Sequence, residues 1–247
     1  MKICTTYILL IILPVISHGQ TQIGFKAGYI YYWFANPDNE HFIANYDYSH
    51  NAYSVAVMVR QKIPKSIINL GFEIEYTNRS FSVKSSWGGL GGGQNANFSY
   101  SIGNLYLHIQ PQFTFGRNVK FYFYPGIYFG TLLNSKLTGS LSYWQMGNPP
   151  NNGTKLLDGS AKDYYPNFEF GLYPGIGLEF PLYKNLNILF DYSFTMTYLS
   201  FGSSDGSDQS YFLPIGSSWG SDKVKMLNMN LEIGVVYYIS KTQKVQK

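Results

Sequence analysis

The sequence predicts an all-β protein, an eight-stranded antiparallel up-and-down transmembrane β-barrel. Three observations predict it: a signal-like amino terminus, an alternation of apolar and ionisable residues along the predicted strands, and connections that alternate between short and long. Transmembrane barrels turn apolar side chains to lipid and polar ones inward, and have short turns at one end and longer loops at the other. The pattern therefore indicates a membrane protein built of strands.

Residues 1–19 have the pattern of a signal peptide. Lys2 is positive, residues 7–16 are mostly apolar, and small residues surround the expected cleavage near Gly19/Gln20. The alternative, a membrane-anchoring helix, would need about 20 apolar residues. We expect a barrel over residues 20–240 and a basic tail over 241–247. The only cysteine, Cys4, lies in the signal, so the mature chain is expected to have no disulfide or lipid anchor.

Composition supports a membrane environment. Charged residues make up 13% of the chain and aromatic residues 18%, whereas about 25% of residues are charged in soluble domains. No segment after residue 19 is long and apolar enough for a transmembrane helix, and other backbone that crosses lipid forms closed barrels. The formal net charge of +4 is too small to indicate a nucleic-acid partner.

Period-two alternation predicts the strand positions. They are near residues 23–35, 52–63, 67–83, 98–115, 119–133, 164–181, 186–201 and 224–240. The connections are short at 64–66, 116–118 and 182–185, and long at 36–51, 84–97, 134–163 and 202–223. This alternation predicts an outer membrane location with short turns and both termini in the periplasm. The glycine-rich segment 88–93 is predicted to be a flexible loop.

Ionisable residues on these strands share one face. Glu73, Glu75 and Arg79, for example, alternate with apolar residues, and Lys225 at a strand end is the exception. Arg or Lys facing lipid at mid-bilayer costs about 2–4 kcal/mol, so this face is predicted to be the interior. A soluble half-buried sheet, which also alternates, is the alternative. The predicted interior set is Lys26, Arg60, Glu73, Glu75, Arg79, His108, Glu169, Glu179, Asp191 and Glu232.

The interior of an eight-stranded barrel is just wide enough for side chains to fill. We therefore expect these residues to form a hydrogen-bonded ion network that plugs the lumen. Glu73 and Glu75 have the spacing of paired catalytic carboxylates, but pairing with Arg60 or Lys26 is the favoured interpretation. Rings near strand ends are expected at the membrane interface; these are Tyr29, Tyr31, Tyr32, Trp33, Tyr198, Tyr237 and Tyr238.

The long connections contain the other candidate residues. His41 and His50, with Asp38, Asp47 and Ser49, form the set that an acyl-transfer or hydrolytic enzyme would use. Trp87 and Trp219 lie in a repeated Ser-Ser-Trp-Gly sequence and are candidates for binding a protein or glycan partner. The predicted turns and tail are basic, whereas the long loops are richer in acids. No catalytic residue, metal ligand or cofactor is predicted.

Several segments resemble a known family. Residues 24–28 (GFKAG), 105–113, 121–130 (FYFYPGIYFG), 171–180 and 231–239 are similar to the PorT-like outer-membrane β-barrel family of Bacteroidetes-type envelopes. The resemblance implies an eight-stranded barrel in an outer membrane and implies no single activity. In one departure from the family pattern, the chain continues past the last aromatic strand residues to Lys247.

Three functions remain open on sequence grounds. The leading one is a non-enzymatic envelope barrel with a charge-plugged lumen, whose long loops meet ligands or partners and whose outer face meets outer-membrane lipid. The second is an envelope enzyme that modifies lipids by acyl transfer or hydrolysis. The third is a narrow channel for small solutes, which the predicted interior charges disfavour.

Overall fold

The computed structural model describes residues 20–35, 47–89, 92–146, 151–160, 167–200 and 223–239. The regular structure of these residues is entirely β-strand, as predicted. The strands are β1 (Thr21–Ala35), β2 (Asp47–Lys62), β3 (Ile68–Gly89), β4 (Gly92–Phe115), β5 (Lys120–Gln145), β6 (Asn151–Gly159), β7 (Phe168–Tyr183), β8 (Leu186–Ser200) and β9 (Lys223–Ile239). The predicted signal peptide and tail lie outside the described residues.

Eight of these strands close into an antiparallel barrel. The sheet order is β4-β3-β2-β1-β9-β8-β7-β5-β6, and β4 also pairs with β5, which joins the two sides of the sheet. The carboxy-terminal β9 lies between β1 and β8, with Thr21 opposite Ile239. Closure gives every barrel strand two hydrogen-bonded neighbours, as backbone in lipid requires. The predicted eight-stranded antiparallel barrel is confirmed.

The barrel has two unlike ends. The short connections 63–67, 116–119 and 184–185 lie at one end, which we name the turn end, and the opposite end is the loop end. Lys65 and Lys184 have positive φ values of 60° and 38° in these turns. Gly116, at φ 95°, starts the connection between β4 and β5, where an added Cβ would collide with the Val119 carbonyl. The three turns are therefore tight.

The loop end differs from the prediction because several strands are longer. Pairing of β3 with β4 continues to Gly89 opposite Gly92, so most of the predicted flexible loop at 88–93 belongs to a hairpin. The predicted loop 134–163 contains the second half of β5 and all of β6, which pair from Leu137 to Gln145. We name residues 80–89, 92–101, 136–145 and β6 the wall extension. Its Gly, Ser and Asn residues concealed it, because they are rare in most strands.

A one-residue bulge marks the base of the wall extension. Gly103 pairs with Asn134 and Asn104 pairs with Leu132, so Leu133 is the extra residue on β5. Below the bulge, Tyr122 and Tyr128 are buried and Phe121 is exposed. Above it, Leu137 is buried and Lys136 is exposed, so the inward positions change from even to odd numbers. Bulges redirect a strand in this way.

The two faces of the barrel differ as the alternation predicts. Ile74 on β3 and Ile233 on β9 are 56% and 54% exposed, while their neighbours Glu73, Glu75 and Glu232 are each at most 2% exposed. An exposed apolar band around a polar interior is the reverse of a soluble protein and suits a lipid environment. Two of the predicted interface rings are placed differently, because Tyr32 and Tyr238 are buried in the interior.

Replacing Ile74 with Arg tests which face meets lipid. Ile74→Arg should lower the free energy of unfolding by about 2–4 kcal/mol, because the guanidinium would enter the hydrocarbon layer. Ser82→Arg is the matched control, since Ser82 has the same strand parity but lies in the wall extension. Urea titration of both variants in lipid vesicles measures the difference. Equal stability of the two variants would contradict the assignment of the outer face.

Candidate functional site in the barrel interior

The structure buries every ionisable residue of the predicted interior set. Lys26 comes from β1, Arg60 from β2, and Glu73, Glu75 and Arg79 from β3, each at most 4% exposed. The other members are His108 on β4, Glu169 and Glu179 on β7, Asp191 on β8 and Glu232 on β9. Seven strands thus contribute ionised groups to one enclosed space. The pairing registers decide which of these groups meet.

A carboxylate group surrounds Lys26 near the middle of the barrel. The Lys26 Nζ atom lies 2.7 Å from Glu232 Oε2, 2.9 Å from Glu73 Oε2 and 3.5 Å from Asp191 Oδ2. The two shorter distances are those of charge-assisted hydrogen bonds. Tyr124 donates to Asp191 at 2.6 Å and Ser54 donates to Glu232 at 2.9 Å. One lysine therefore links strands β1, β3, β8 and β9.

A second group lies at the turn end around Glu179. Arg60 Nη1 is 3.3 Å from Glu179 Oε2, and Lys120 Nζ is 3.2 Å from Glu179 Oε1. Asn187 donates to the same carboxylate at 2.6 Å, and Tyr238 is also a donor. Arg60 thus pairs with Glu179. Of the two partners expected for Glu73 and Glu75, Lys26 is the one found, and it contacts Glu73.

Two further groups lie closer to the loop end. Tyr106 donates to Glu169 at 3.0 Å and accepts from Arg79, while Asn104 donates to Glu169 at 3.2 Å. His108 Nε2 lies 2.7 Å from Glu75 Oε2, so Glu75 pairs with a histidine and not with a lysine or arginine. The ring centroid of Tyr173 is 3.9 Å from that of His108. The histidine is thus held between a carboxylate and an aromatic ring.

Sequence reasoning missed the interior tyrosines. Five of them form one buried cluster in the barrel, and residues next to them in the strands, among them Leu105, Phe121, Phe123 and Leu172, are exposed. The cluster consists of Tyr106, Tyr122, Tyr124, Tyr128 and Tyr173. In the run FYFYPG each Tyr has the parity of the charged residues and each Phe has the opposite one. Two features of the sequence could have predicted the interior position of these tyrosines. One is their parity, and the other is the phenolic hydroxyl, which can find a hydrogen-bond partner among polar interior groups.

The arrangement is suited to fixing charge rather than to releasing it. Each described carboxylate of the set has at least one charged or hydrogen-bonding partner within the barrel. Glu73 and Glu75 lie on the same strand, yet Glu73 contacts Lys26 and Glu75 contacts His108. Both carboxylates are only 1% exposed, so they lack the access to substrate that the paired acid and base of a hydrolase needs.

The loop candidates are only partly within the described residues. His41, Asp38 and Trp219 lie outside them. Asp47, Ser49 and His50 were expected in a loop but are part of β2, where His50 pairs with Phe81. Trp87 lies in β3 opposite Gln94, and is also a strand residue. A further tryptophan that the sequence analysis did not select, Trp144 on β5, is 41% exposed on the wall extension.

Comparison with known sequences identifies the family. Residues 17–200 match the family described as "Outer membrane protein beta-barrel domain". The chain belongs to this family. The match covers most of the barrel and supports a location in the outer membrane. A search of curated proteins finds no significant match.

Solved outer-membrane proteins are also similar to this barrel. Ail of Yersinia pestis, solved with the heparin analogue sucrose octasulfate, is 13% identical, with 89% of this chain and 99% of Ail covered and a TM-score of 0.38. OprG of Pseudomonas aeruginosa is 14% identical, with 90% and 97% covered and a TM-score of 0.42. Neisserial surface protein A is 13% identical, with 88% and 96% covered and a TM-score of 0.37.

No helix among the described residues is both long and apolar enough to cross a membrane.

Replacing Lys26 tests the energetic role of the interior ion pairs. Lys26→Met should destabilise the barrel by about 3–5 kcal/mol, because it leaves buried carboxylates without their cation. Lys136→Met is the control: Lys136 forms an exposed pair with Asp158 at 3.6 Å, and such pairs contribute at most about 1 kcal/mol. Urea unfolding in detergent measures both. Similar losses in the two variants would refute the assigned role of Lys26.

Proposed function

We propose that the protein is a non-enzymatic outer-membrane barrel with a plugged lumen, whose loop end meets ligands or partners at the cell surface. The observation that carries the proposal is the filled interior, in which ionised groups from seven strands contact one another and buried tyrosines. The PorT-like designation is part of this proposal and rests on the resemblance of the sequence.

The interior side chains support a plug. Tyr124, Tyr128 and Tyr173 are each at most 1% exposed, as are the central Lys26 and Glu73. Water or a solute crossing the barrel would have to displace these side chains and break buried charged hydrogen bonds, which are costly to lose. The alternative of a narrow solute channel therefore receives no support from the interior packing.

Conductance in planar bilayers tests the plug. The purified protein should show no steady nanosiemens-scale conductance, because charged and aromatic side chains fill its interior. The double variant Tyr124→Ala/Tyr173→Ala removes two rings from the fill and should give larger and more frequent current steps. A heat-modifiability gel would confirm that both proteins are folded. Steady nanosiemens conductance of the unaltered protein would refute the plug.

The site chemistry supports the non-enzymatic part of the proposal. Nucleophilic catalysis needs a nucleophile, a base and an orienting group with access to substrate. The described His-carboxylate pair, His108 with Glu75, is buried in the interior and lacks that access.

The wall extension supports a surface-binding role. Two rows of polar residues cross neighbouring strands on its outward face. The first is Ser80, Ser101 and Lys136, which Asn51 of β2 continues, and the second is Ser82, Ser99 and Thr138. These residues line a shallow groove of about 250 Å³. Hydroxyl, amide and ammonium groups on one face, with the exposed ring of Trp144 further along the same face, are chemistry that suits a glycan. We therefore favour a glycan among the partners.

The orientation of the barrel is part of the same proposal. We place the turn end and both termini in the periplasm and the wall extension outside the cell. The tight turns match the short periplasmic connections of outer-membrane barrels. They also contain Lys65, Arg117 and Lys184, all exposed, which are suited to contact with anionic headgroups or other periplasmic anions.

Cysteine labelling of intact cells tests this orientation. The chain has a single natural cysteine, Cys4, within the predicted signal, so introduced thiols should be the reactive ones. Ser142→Cys in the wall extension should react with a membrane-impermeant maleimide on intact cells. Lys65→Cys at the turn end should react only after the outer membrane is opened. The reverse pattern would show that the barrel has the opposite orientation.

A further inference from the structure

Three residues of the interior form a potential ligand set. Glu73, Glu75 and His108 are all buried, and each offers a ligand atom within 4.8 Å of those of the other two. The β3–β4 register produces this arrangement, because it places Glu73 directly opposite His108. Glu75 follows two residues later on the same face of β3, and its Oε2 atom is 2.7 Å from His108 Nε2.

Unpartnered polar atoms point to an additional ligand at this position. Glu73 Oε1, His108 Nδ1 and the Tyr173 hydroxyl are buried and have no hydrogen-bond partner among the described residues. The three side chains are neighbours, since the Tyr173 ring packs on His108 and Glu73 is opposite His108. A buried polar atom without a partner costs about 1–3 kcal/mol, and more when it is charged. A bound cation would satisfy the carboxylate and imidazole atoms.

The local charge also favours a cation. Glu73, Asp191 and Glu232 contact Lys26, whereas the ion-pair partner of Glu75 among the described residues is His108. Arg79 lines the same small cavity as Glu75 and His108. The four carboxylates and these two permanent cations therefore have a formal charge of −2 when the imidazole is neutral. Excess charge of one sign is expensive in an interior of low dielectric constant. A divalent ion would bring this formal charge to zero.

A small cavity gives this position space. Glu75 and His108 line a cavity of about 10 Å³, and Thr77, Arg79, Asn228 and Asn230 are among the other lining residues. This is about the volume that one water-sized occupant needs. The side-chain oxygens of Thr77, Asn228 and Asn230 are also buried without a hydrogen-bond partner in the part of the chain that the structure describes. They offer further oxygen ligands, directly or through water.

We propose that Glu73, Glu75 and His108 bind one divalent transition-metal ion, with Zn²⁺ as the best match. Carboxylates alone would suit Mg²⁺ or Ca²⁺, but an imidazole ligand favours Zn²⁺ and its neighbours in the first transition series. Ligand atoms at about 2.0–2.2 Å from Zn²⁺ lie at most about 4.4 Å apart. Small side-chain rotations bring the three into that range. This proposal goes beyond the sequence analysis, which predicts no metal ligand.

Zinc binding by the full-length protein is the direct test. The protein is unfolded in urea with a chelator, refolded in detergent without metal, and titrated with ZnCl₂ by calorimetry, with stoichiometry measured by elemental analysis after gel filtration. One Zn²⁺ per chain is expected. Glu75→Gln and His108→Gln should each weaken binding about tenfold or more. Glu179→Gln, which removes an interior carboxylate at the turn end, should bind as the unaltered protein does.

Two results would overturn the proposal. One is the absence of stoichiometric Zn²⁺ in the refolded protein, which would indicate that a retained proton or water balances the site. The other is unchanged affinity in both folded ligand variants, which would mean that the metal binds elsewhere. Where a variant does not fold, X-ray absorption of the zinc-loaded unaltered protein replaces it. A signal from an imidazole ligand in the X-ray absorption spectrum of the zinc would support the site. A zinc ligand shell made only of oxygen atoms would exclude His108 and refute the proposal.

Discussion

The structure depends on one constraint: ionised side chains are enclosed by a wall whose outer face meets lipid. Neither face can exchange its residues for those of the other without a large cost in free energy. The strands therefore have to keep strict alternation, and the interior has to supply a partner for each charge. Lys26 meets this requirement for three carboxylates on three other strands. Its contacts connect the first barrel strand to the strands that close the sheet.

This constraint explains why the barrel could be predicted from sequence. A period of two is local, so the parity of Glu73, Glu75 and Arg79 against Ile74 shows which face is buried without any knowledge of pairing. The family match over residues 17–200 agrees with that result. The wall extension could not be predicted in the same way. Its outward parity is polar, as at Ser99 and Ser101, and rich in Gly, Ser and Asn, so it does not continue the apolar outer face by which the membrane-spanning part was recognised.

The ion-pair partner of each charged residue could not be predicted from the sequence, for a different reason. These partners depend on the pairing register of neighbouring strands, and a register shift of one residue changes every contact between two strands. Arg60, for example, reaches Glu179 on β7, although β2 pairs only with β1 and β3. Contacts across the barrel also depend on its diameter. The tyrosines were missed because aromatic residues were assigned to the lipid interface, whereas a hydroxyl allows a ring to pack inside.

The bulge at Leu133 has a consequence for the chemistry of the wall extension. One additional residue reverses the phase of β5, so the strand can present oily rings to acyl chains along its lower part and hydroxyls or an ammonium group along its upper part. The outward residues of the two parts of β5 therefore have opposite parity, and their polarity can differ. Natural variation in the upper portion can alter the polar surface of the wall extension while the lower portion keeps its apolar contact with the hydrocarbon layer.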